Sequence, residues 1–225
     1  MRNSTASLGL GVIMKHDILI FDLDGTISDP KDGIVKSINY ALEHFDFAPR
    51  SDTEISQFIG PPIDTTFQSL TGETDPNLIS SLISKYRERY ADVGYSENVL
   101  YGGIRESLIT LYNNSESRLA ICTSKRADFA TKIIDMFGLL ELFDFVNGGD
   151  VGIEKWQQLG TLLEKDKITK QSLMIGDRYV DLTAAHINNL NSAGVLWGYG
   201  SKEEIKKESP LYLFSSTQQL VELMV

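Results

Sequence analysis

The stretch Ile18-Leu19-Ile20-Phe21-Asp22-Leu23-Asp24-Gly25-Thr26 decides the fold. Four apolar residues run without polar alternation, the pattern of a strand buried on both faces of a parallel sheet. Two carboxylates follow, two positions apart, and Gly25-Thr26 turns the chain. Residues i and i+2 of a strand face the same side, so Asp22 and Asp24 project together beyond the strand end. Carboxylates held that close repel each other unless a cation or a shared proton sits between them. A hard divalent cation with oxygen ligands, most simply Mg²⁺, suits the pair. Taken alone, the run is also what an Asp- and Gly-rich turn looks like, since both residues are common in turns.

Two further apolar runs end in polar groups. Leu119-Ala120-Ile121-Cys122 leads into Thr123-Ser124-Lys125, and Leu173-Met174-Ile175 leads into Gly176-Asp177, with Asp181 four positions on. Residues 193–196 read as another short strand, and 145–146 and 211–214 as weaker ones. Each is reached from a helical segment, and such alternation predicts a doubly wound, Rossmann-like parallel sheet. Ligands of such sheets bind beyond the carboxyl ends of the strands. Singly, the polar groups have plainer explanations. Thr123 and Ser124 can cap a helix, Asp177 can sit in a turn, and Asp177 and Asp181 can share a solvated helix face. Three strand ends carrying them together favour one reactive crevice.

Residues 30 to about 100 carry helical signals and no strand pattern. Ser28-Asp29-Pro30 is a helix-start signal, followed by an apolar stripe at Ile34, Ile38, Ala41, Leu42 and Phe45. Ser51 and Glu54 form a capping-box pattern. Gly60-Pro61-Pro62 breaks the chain, a helix from near Asp64 ends at Thr71-Gly72, and Asp75-Pro76 opens a long helix through about Tyr90. The block is an all-helical insertion placed directly after the first strand.

Composition narrows the function classes. At 225 residues the chain suffices for one generous domain or two small ones. A hydrophobic content of 42% with 23% charged residues is that of an ordinary soluble globular protein. The net charge of −10 argues against nonspecific nucleic-acid or anionic-membrane binding, so an anionic substrate must be drawn in by local groups. No run approaches the ~20 apolar residues that span a bilayer. The single cysteine, Cys122, excludes an internal disulfide and a Cys-rich zinc site; a reducing, cytoplasmic setting and a buried-hydrophobe role are expected. Residues 1–13 read as a disordered leader, with Met14 as an alternative start.

Four segments in order carry a family resemblance: Asp22-Leu23-Asp24-Gly25-Thr26, Thr123, Lys155, and Gly176-Asp177-Arg178-Tyr179-Val180-Asp181. From Lys15 to the C-terminus the chain resembles the haloacid dehalogenase-like (HAD) hydrolases, and within them the phosphoglycolate phosphatase-like branch. Asp29-Pro30, Phe58-Ile59-Gly60-Pro61-Pro62 and Trp197-Gly198-Tyr199-Gly200 also look like this branch. Lys155 opens a helical run after Gly148-Gly149, where relatives carry their lysine, although Trp156 stands where many have proline; Lys125 is the rival.

The resemblance implies an α/β core over 14–29 and 102–225 and a helical cap domain over 30–101, hinged at Asp29-Pro30 and at residues 101–103. It implies a phosphomonoester hydrolase working through an aspartyl-phosphate, with Asp22 as nucleophile and Asp24 as acid and base. Mg²⁺ would be held by Asp22, the Asp24 carbonyl and Asp177, with Asp181 direct or through water. Thr123, Ser124, Lys155 and Gly25 would form the phosphate site, and Gly60 and Pro61 a substrate-facing cap loop. Arg87 and Arg89 could reach an anionic substrate, but a solvated helix face is the favoured expectation. The second Asp and the Asp177/Asp181 pair point to phosphate chemistry rather than dehalogenation. The implied partner is a small phosphorylated metabolite (phosphoglycolate, a nucleoside 5′-monophosphate or a sugar phosphate), with neither nucleic acid nor membrane. A phosphomutase, a pyrophosphatase or a non-catalytic phosphate-binding module are the alternatives.

Overall fold

The apolar run forms β1 (Ile18–Phe21) near the centre of a six-stranded parallel sheet. The computed structural model describes residues 15–224, so the expected leader over 1–13 and the alternative start at Met14 lie outside the described residues. After β1 come a two-residue strand, β2 (Ser28–Asp29), and the helices α1 (Lys31–His44), α2 (Asp52–Ser56), α3 (Ile63–Thr71) and α4 (Pro76–Asp92). The chain returns through β3 (Val99–Leu100) and then alternates. The sequence is α5 (Ile104–Asn114), β4 (Arg118–Thr123), α6 (Ala127–Met136), β5 (Val146–Gly148), α7 (Lys155–Glu164) and β6 (Leu173–Gly176). It closes with α8 (Tyr179–Ile187), β7 (Asn191–Val195), α9 (Lys202–Lys207) and β8 (Tyr212–Phe214).

The sheet order is β5-β4-β1-β6-β7-β8, with every pairing parallel. The chain runs outward from β1 through β4 to β5, then crosses back to build the other half. The carboxyl ends of β4, β1 and β6 therefore lie side by side, where open sheets of this kind take ligands. Period-2 alternation sends Leu19 and Phe21 to one apolar cluster and Ile18 and Ile20 to the other, which explains the unbroken apolar run. Cys122 shares the second cluster and is fully buried, as a small hydrophobe.

The helical block follows its local signals. The α1 stripe Ile34, Ile38, Ala41 and Leu42 is buried. Ser51 and Glu54 form the reciprocal capping box at α2, and Gly72 ends α3 at a φ of +75°. Asp75 accepts the Asn77 N–H at 3.0 Å, with Pro76 in the first turn of α4. One apolar cluster runs without a break from Leu19 and Phe21 of the sheet into Ile38, Ile55 and Phe67 of the block.

Three expectations need correction. Ser28 and Asp29 do not sit in the N-cap: they form β2, antiparallel to β3, and Pro30 takes the cap position while Asp29 accepts the Lys31 N–H at 2.9 Å. β3 itself lies in the stretch read as strand-free, because a two-residue ribbon is too short to leave a periodic pattern. Arg87 and Arg89 are not on a solvated face. Arg87 reaches Asp150 at 2.7 Å, and Arg89 clamps Glu97 at 2.9 and 3.2 Å while donating to Ser37 at 3.0 Å. Asp150, distant in sequence, claims Arg87, and Glu97, just beyond the end of α4, claims Arg89.

No helix among the described residues is long and apolar enough to cross a membrane. Phe21 is fully buried and meets Phe143 edge-on, so Phe21→Ala should cost about 3–5 kcal/mol, read as a lower urea midpoint at unchanged slope.

Candidate active site

Asp22 extends β1 by one residue, its N–H donating to the Ile175 carbonyl at 2.9 Å. Leu23 is buried in the core, and its carbonyl accepts the N–H groups of Ile27 at 2.9 Å and Ser28 at 3.1 Å, which folds the loop back on itself. Gly25 adopts a φ of +86°, and a Cβ there would fall 2.1 Å from Asp177 Oδ2. Only glycine meets both conditions. The Gly25 N–H donates to Ser28 O at 2.8 Å, and the residue leaves room for Asp177.

The carboxylates of Asp22, Asp177 and Asp181 converge, with one oxygen of each within 4.8 Å of the others, and all three residues are buried. Asp177 comes from the loop after β6 and Asp181 from the first turn of α8. Tyr199 N–H donates to Asp177 Oδ2 at 2.8 Å, Thr26 Oγ1 donates to its Oδ1 at 3.2 Å, and Arg178 N–H donates to Asp181 Oδ2 at 3.0 Å. A Cβ on Gly198 would lie 2.3 Å from Asp177 Oδ2, so the Trp197–Gly200 turn is also shaped around that carboxylate.

Asp24 stands apart from the trio. Its Oδ2 lies 2.8 Å from Lys125 Nζ, and both side chains are nearly out of solvent. Lys125 also donates to the Tyr90 hydroxyl at 2.8 Å and stands 4.5 Å over that ring. Lys155, the first residue of α7, lies 2.9 Å from Asp22 Oδ1 and pairs with Asp181. The two rival lysines thus serve different carboxylates. Thr123 is buried beside them; its Oγ1 accepts the Lys125 N–H at 3.3 Å and caps no helix, since Arg126 occupies that position. Ser124 lines the same pocket, as do Gly60 and Pro61.

Burial, and then repulsion from Asp181 and Asp22, pushes the Asp177 carboxyl well above the usual range. Burial raises Asp181 to about 6, with Lys155 pulling against it. Burial likewise raises Asp24, against the pull of Lys125. For both lysines burial works downward, but Asp24 facing Lys125 and Asp181 and Asp22 facing Lys155 outweigh it and keep them charged. Three carboxylates against one ammonium leave a local excess of negative charge. Asp22 Oδ1 makes no hydrogen bond despite its nearness to Lys155. An all-oxygen donor set with an unsatisfied buried oxygen fits a hard divalent cation held by Asp22, Asp177 and Asp181.

Two contributors escaped the sequence reading. Arg178 was visible only as a spacer between two acids, yet its guanidinium donates to the carbonyls of Gln57, at 3.3 Å, and Ile59, with Glu204 holding Nε at 2.9 Å. Its acceptors are main-chain atoms, which no side-chain pattern reveals. Tyr90 stands in the sequence only as the approximate end of a helix; nothing local marks it as the partner of Lys125.

Residues 19–195 match the haloacid dehalogenase-like hydrolases, and the chain belongs to that family. A 5′-nucleotidase of Pseudomonas aeruginosa is 30% identical over 203 residues, covering 88% of this chain and 91% of that protein. A phosphoglycolate phosphatase of Colwellia psychrerythraea is 28% identical over 220 residues, covering 93% and 97%. Among solved structures, a predicted phosphatase from Clostridium acetobutylicum aligns with a TM-score of 0.87 at 32% identity, over 92% of this chain and 97% of that one. The fold, the site and these relatives define a phosphoric monoester hydrolase of the phosphoglycolate phosphatase-like branch.

Lys125→Met leaves the Asp24 carboxylate buried without its partner, and should cost about 3–5 kcal/mol in urea denaturation at pH 8. An unpaired acid with a raised pKa takes up a proton as pH falls, so the penalty should shrink toward pH 5. A penalty independent of pH would show that the lysine contributes packing alone.

Proposed function

We propose that the enzyme hydrolyses a small phosphomonoester through an aspartyl-phosphate on Asp22, with Mg²⁺ as its resident cation. The carrying observation is that two carboxylates two residues apart occupy different environments: Asp22 joins Asp177 and Asp181, whereas Asp24 faces Lys125. One is suited to attack phosphorus and the other to carry a proton.

In this scheme an Asp22 oxygen attacks phosphorus and the ester P–O bond breaks. Asp24 protonates the departing alkoxide, a role that its burial-raised pKa supports. Asp24 then takes a proton from the water that hydrolyses the aspartyl-phosphate. The Lys155 ammonium and the Thr123 hydroxyl, with Ser124 beside them, hold the transferring oxygens and stabilise the charge they gather. Asp22, Asp177, Asp181 and the Asp24 carbonyl would hold Mg²⁺, whose charge would offset repulsion between the nucleophile and the phosphate dianion.

Residues 30–101 act as a cap on the core formed by 14–29 and 102–225. The β2–β3 ribbon, where the chain leaves and re-enters, is its hinge. Gly60 and Pro61 lie over the pocket that holds Asp22 and Asp24. Arg178 ties that loop to the acid cluster through the Ile59 carbonyl, and closure of this kind excludes water from the reacting centre. The enclosed pocket suits a small phosphorylated metabolite, and the reaction suits a cytoplasmic enzyme.

Phosphate release from small phosphomonoesters should require Mg²⁺ and stop with EDTA. Asp22→Asn should abolish turnover with the fold intact, and Asp24→Asn should lower it by roughly 10²–10⁴-fold. Near-wild-type activity of Asp22→Asn would overturn the scheme.

A second test reads binding alone. With folded pKa values raised, Asp177 and Asp181 favour the metal-free fold at low pH, and the Asp181 contribution is lost as pH rises through about 6. Protons compete with the cation for the same oxygens. The increase in melting temperature produced by Mg²⁺ should therefore grow from pH 5 to pH 7.5; a constant increment would argue against this trio as the binding site.

A further inference from the structure

The pocket beyond the carboxylates is asymmetric in its chemistry. Its helical-block wall is built from Ile34, Ile38, Ile55, Phe58, Ile59 and Tyr86. Tyr86 stacks on Tyr90, with ring centroids 5.3 Å apart and planes 19° from parallel, and Phe129 meets Tyr90 edge-on at 5.3 Å. The hydroxyl of Thr66, a polar side chain on this wall, is turned to the carbonyls of Pro62 and Phe58, at 3.4 and 3.5 Å.

The cations lining the pocket are already matched. Lys125 faces Asp24 at 2.8 Å, Arg87 reaches Asp150 at 2.7 Å, and Arg126 Nε donates to Asp128 at 2.6 Å. Among the described residues that line this pocket, none of the cations outside the phosphate site lacks an acidic partner. A carboxylate or a second phosphate on the leaving group would meet cations that already face acids: the buried Lys125–Asp24 pair and the more exposed Arg87–Asp150 and Arg126–Asp128 pairs. A polyol would leave several hydroxyls facing hydrocarbon. A flat, uncharged ring would lie against isoleucine and tyrosine, and aromatic walls favour such partners.

Resting on the phosphatase scheme above, we infer that the leaving group carries an uncharged aromatic or nucleobase-like ring against the Ile34–Ile38–Phe58–Tyr86 wall. Phosphoglycolate, sugar phosphates and bisphosphates are then poor substrates of this chain. Phe58 is a specificity-determining residue, half-buried and positioned to meet the ring.

The test is the ratio of kcat/KM values for the full chain with Mg²⁺, using benzyl phosphate, thymidine 5′-monophosphate, 2-phosphoglycolate and glucose 6-phosphate. All four are esters of primary alcohols, so their intrinsic reactivities are similar and the ratios report recognition. The two ring esters should exceed the other two by about tenfold or more, the scale on which an apolar pocket discriminates. Preference for the nucleotide would identify a base-bearing substrate, and preference for benzyl phosphate a simpler aryl compound. Phe58→Ala should lower kcat/KM for the ring esters by about tenfold, mainly through KM, and narrow their advantage over phosphoglycolate. Its melting curve establishes that it is folded, and the wild-type ratios stand independently of it. Phosphoglycolate or glucose 6-phosphate turned over as well as the ring esters would overturn the inference and leave the phosphatase scheme intact. No release from any of the four would overturn the scheme and the inference with it.

Discussion

The structure turns on concentrating buried negative charge at one edge of a sheet. Asp22, Asp177 and Asp181 sit together out of solvent, each at a cost of several kcal/mol when ionised and uncompensated. The surrounding elements are arranged to tolerate it. Lys155 enters at the start of α7, main-chain N–H groups of Tyr199 and Arg178 point at carboxylate oxygens, and glycines at 25 and 198 clear the space that Asp177 occupies. Buried carboxylates concentrated in this way are characteristic of functional sites, where stability is subordinate to chemistry.

The second carboxylate of the first strand illustrates how neighbours separate two like groups. Asp22 and Asp24 are chemically identical and leave the same strand end. Asp22 meets two further acids and an ammonium, whereas Asp24 meets an ammonium alone, backed by the Tyr90 hydroxyl. That division is supplied by residues from α4, the loops after β4 and β6, α7 and α8, so the difference in environment belongs to the assembled fold rather than to either residue. Tyr90 is itself held by Asn98, which accepts from Ser28 in the β2–β3 ribbon. Lys125, the partner of Asp24, is therefore connected to that ribbon through a short chain of hydrogen bonds.

The helical block is joined to the sheet by apolar packing and by a few polar ties. The apolar cluster is continuous across the two, so their packing buries hydrocarbon on both sides. Arg178 and the Arg87–Asp150 pair span the same gap. Arg178 follows directly on Asp177, so the loop that aims an acid at the site also grips the block through main-chain carbonyls. Tyr199 makes a parallel link, its N–H on Asp177 and its hydroxyl on Asp29 of the β2–β3 ribbon.

Local pattern by itself determined the strands, the helical insertion and the acids at the strand ends, because burial on both faces, capping and proline breaks act over a few residues. The apolar runs before Asp22, Thr123 and Gly176 were legible for that reason, as were the capping box at Ser51 and the turn at Gly72. What only the tertiary structure decided were the pairings between distant segments: Lys125 with Asp24 and Tyr90, Lys155 with Asp22 and Asp181, Arg178 with the Ile59 carbonyl, Arg87 with Asp150, and the two-residue ribbon between Ser28–Asp29 and Val99–Leu100. Such partners lie tens of residues apart and leave no period in the chain. A charged side chain alone does not reveal which opposite charge it will meet, since that follows from how the elements pack and from the cost of leaving either one buried and unpaired.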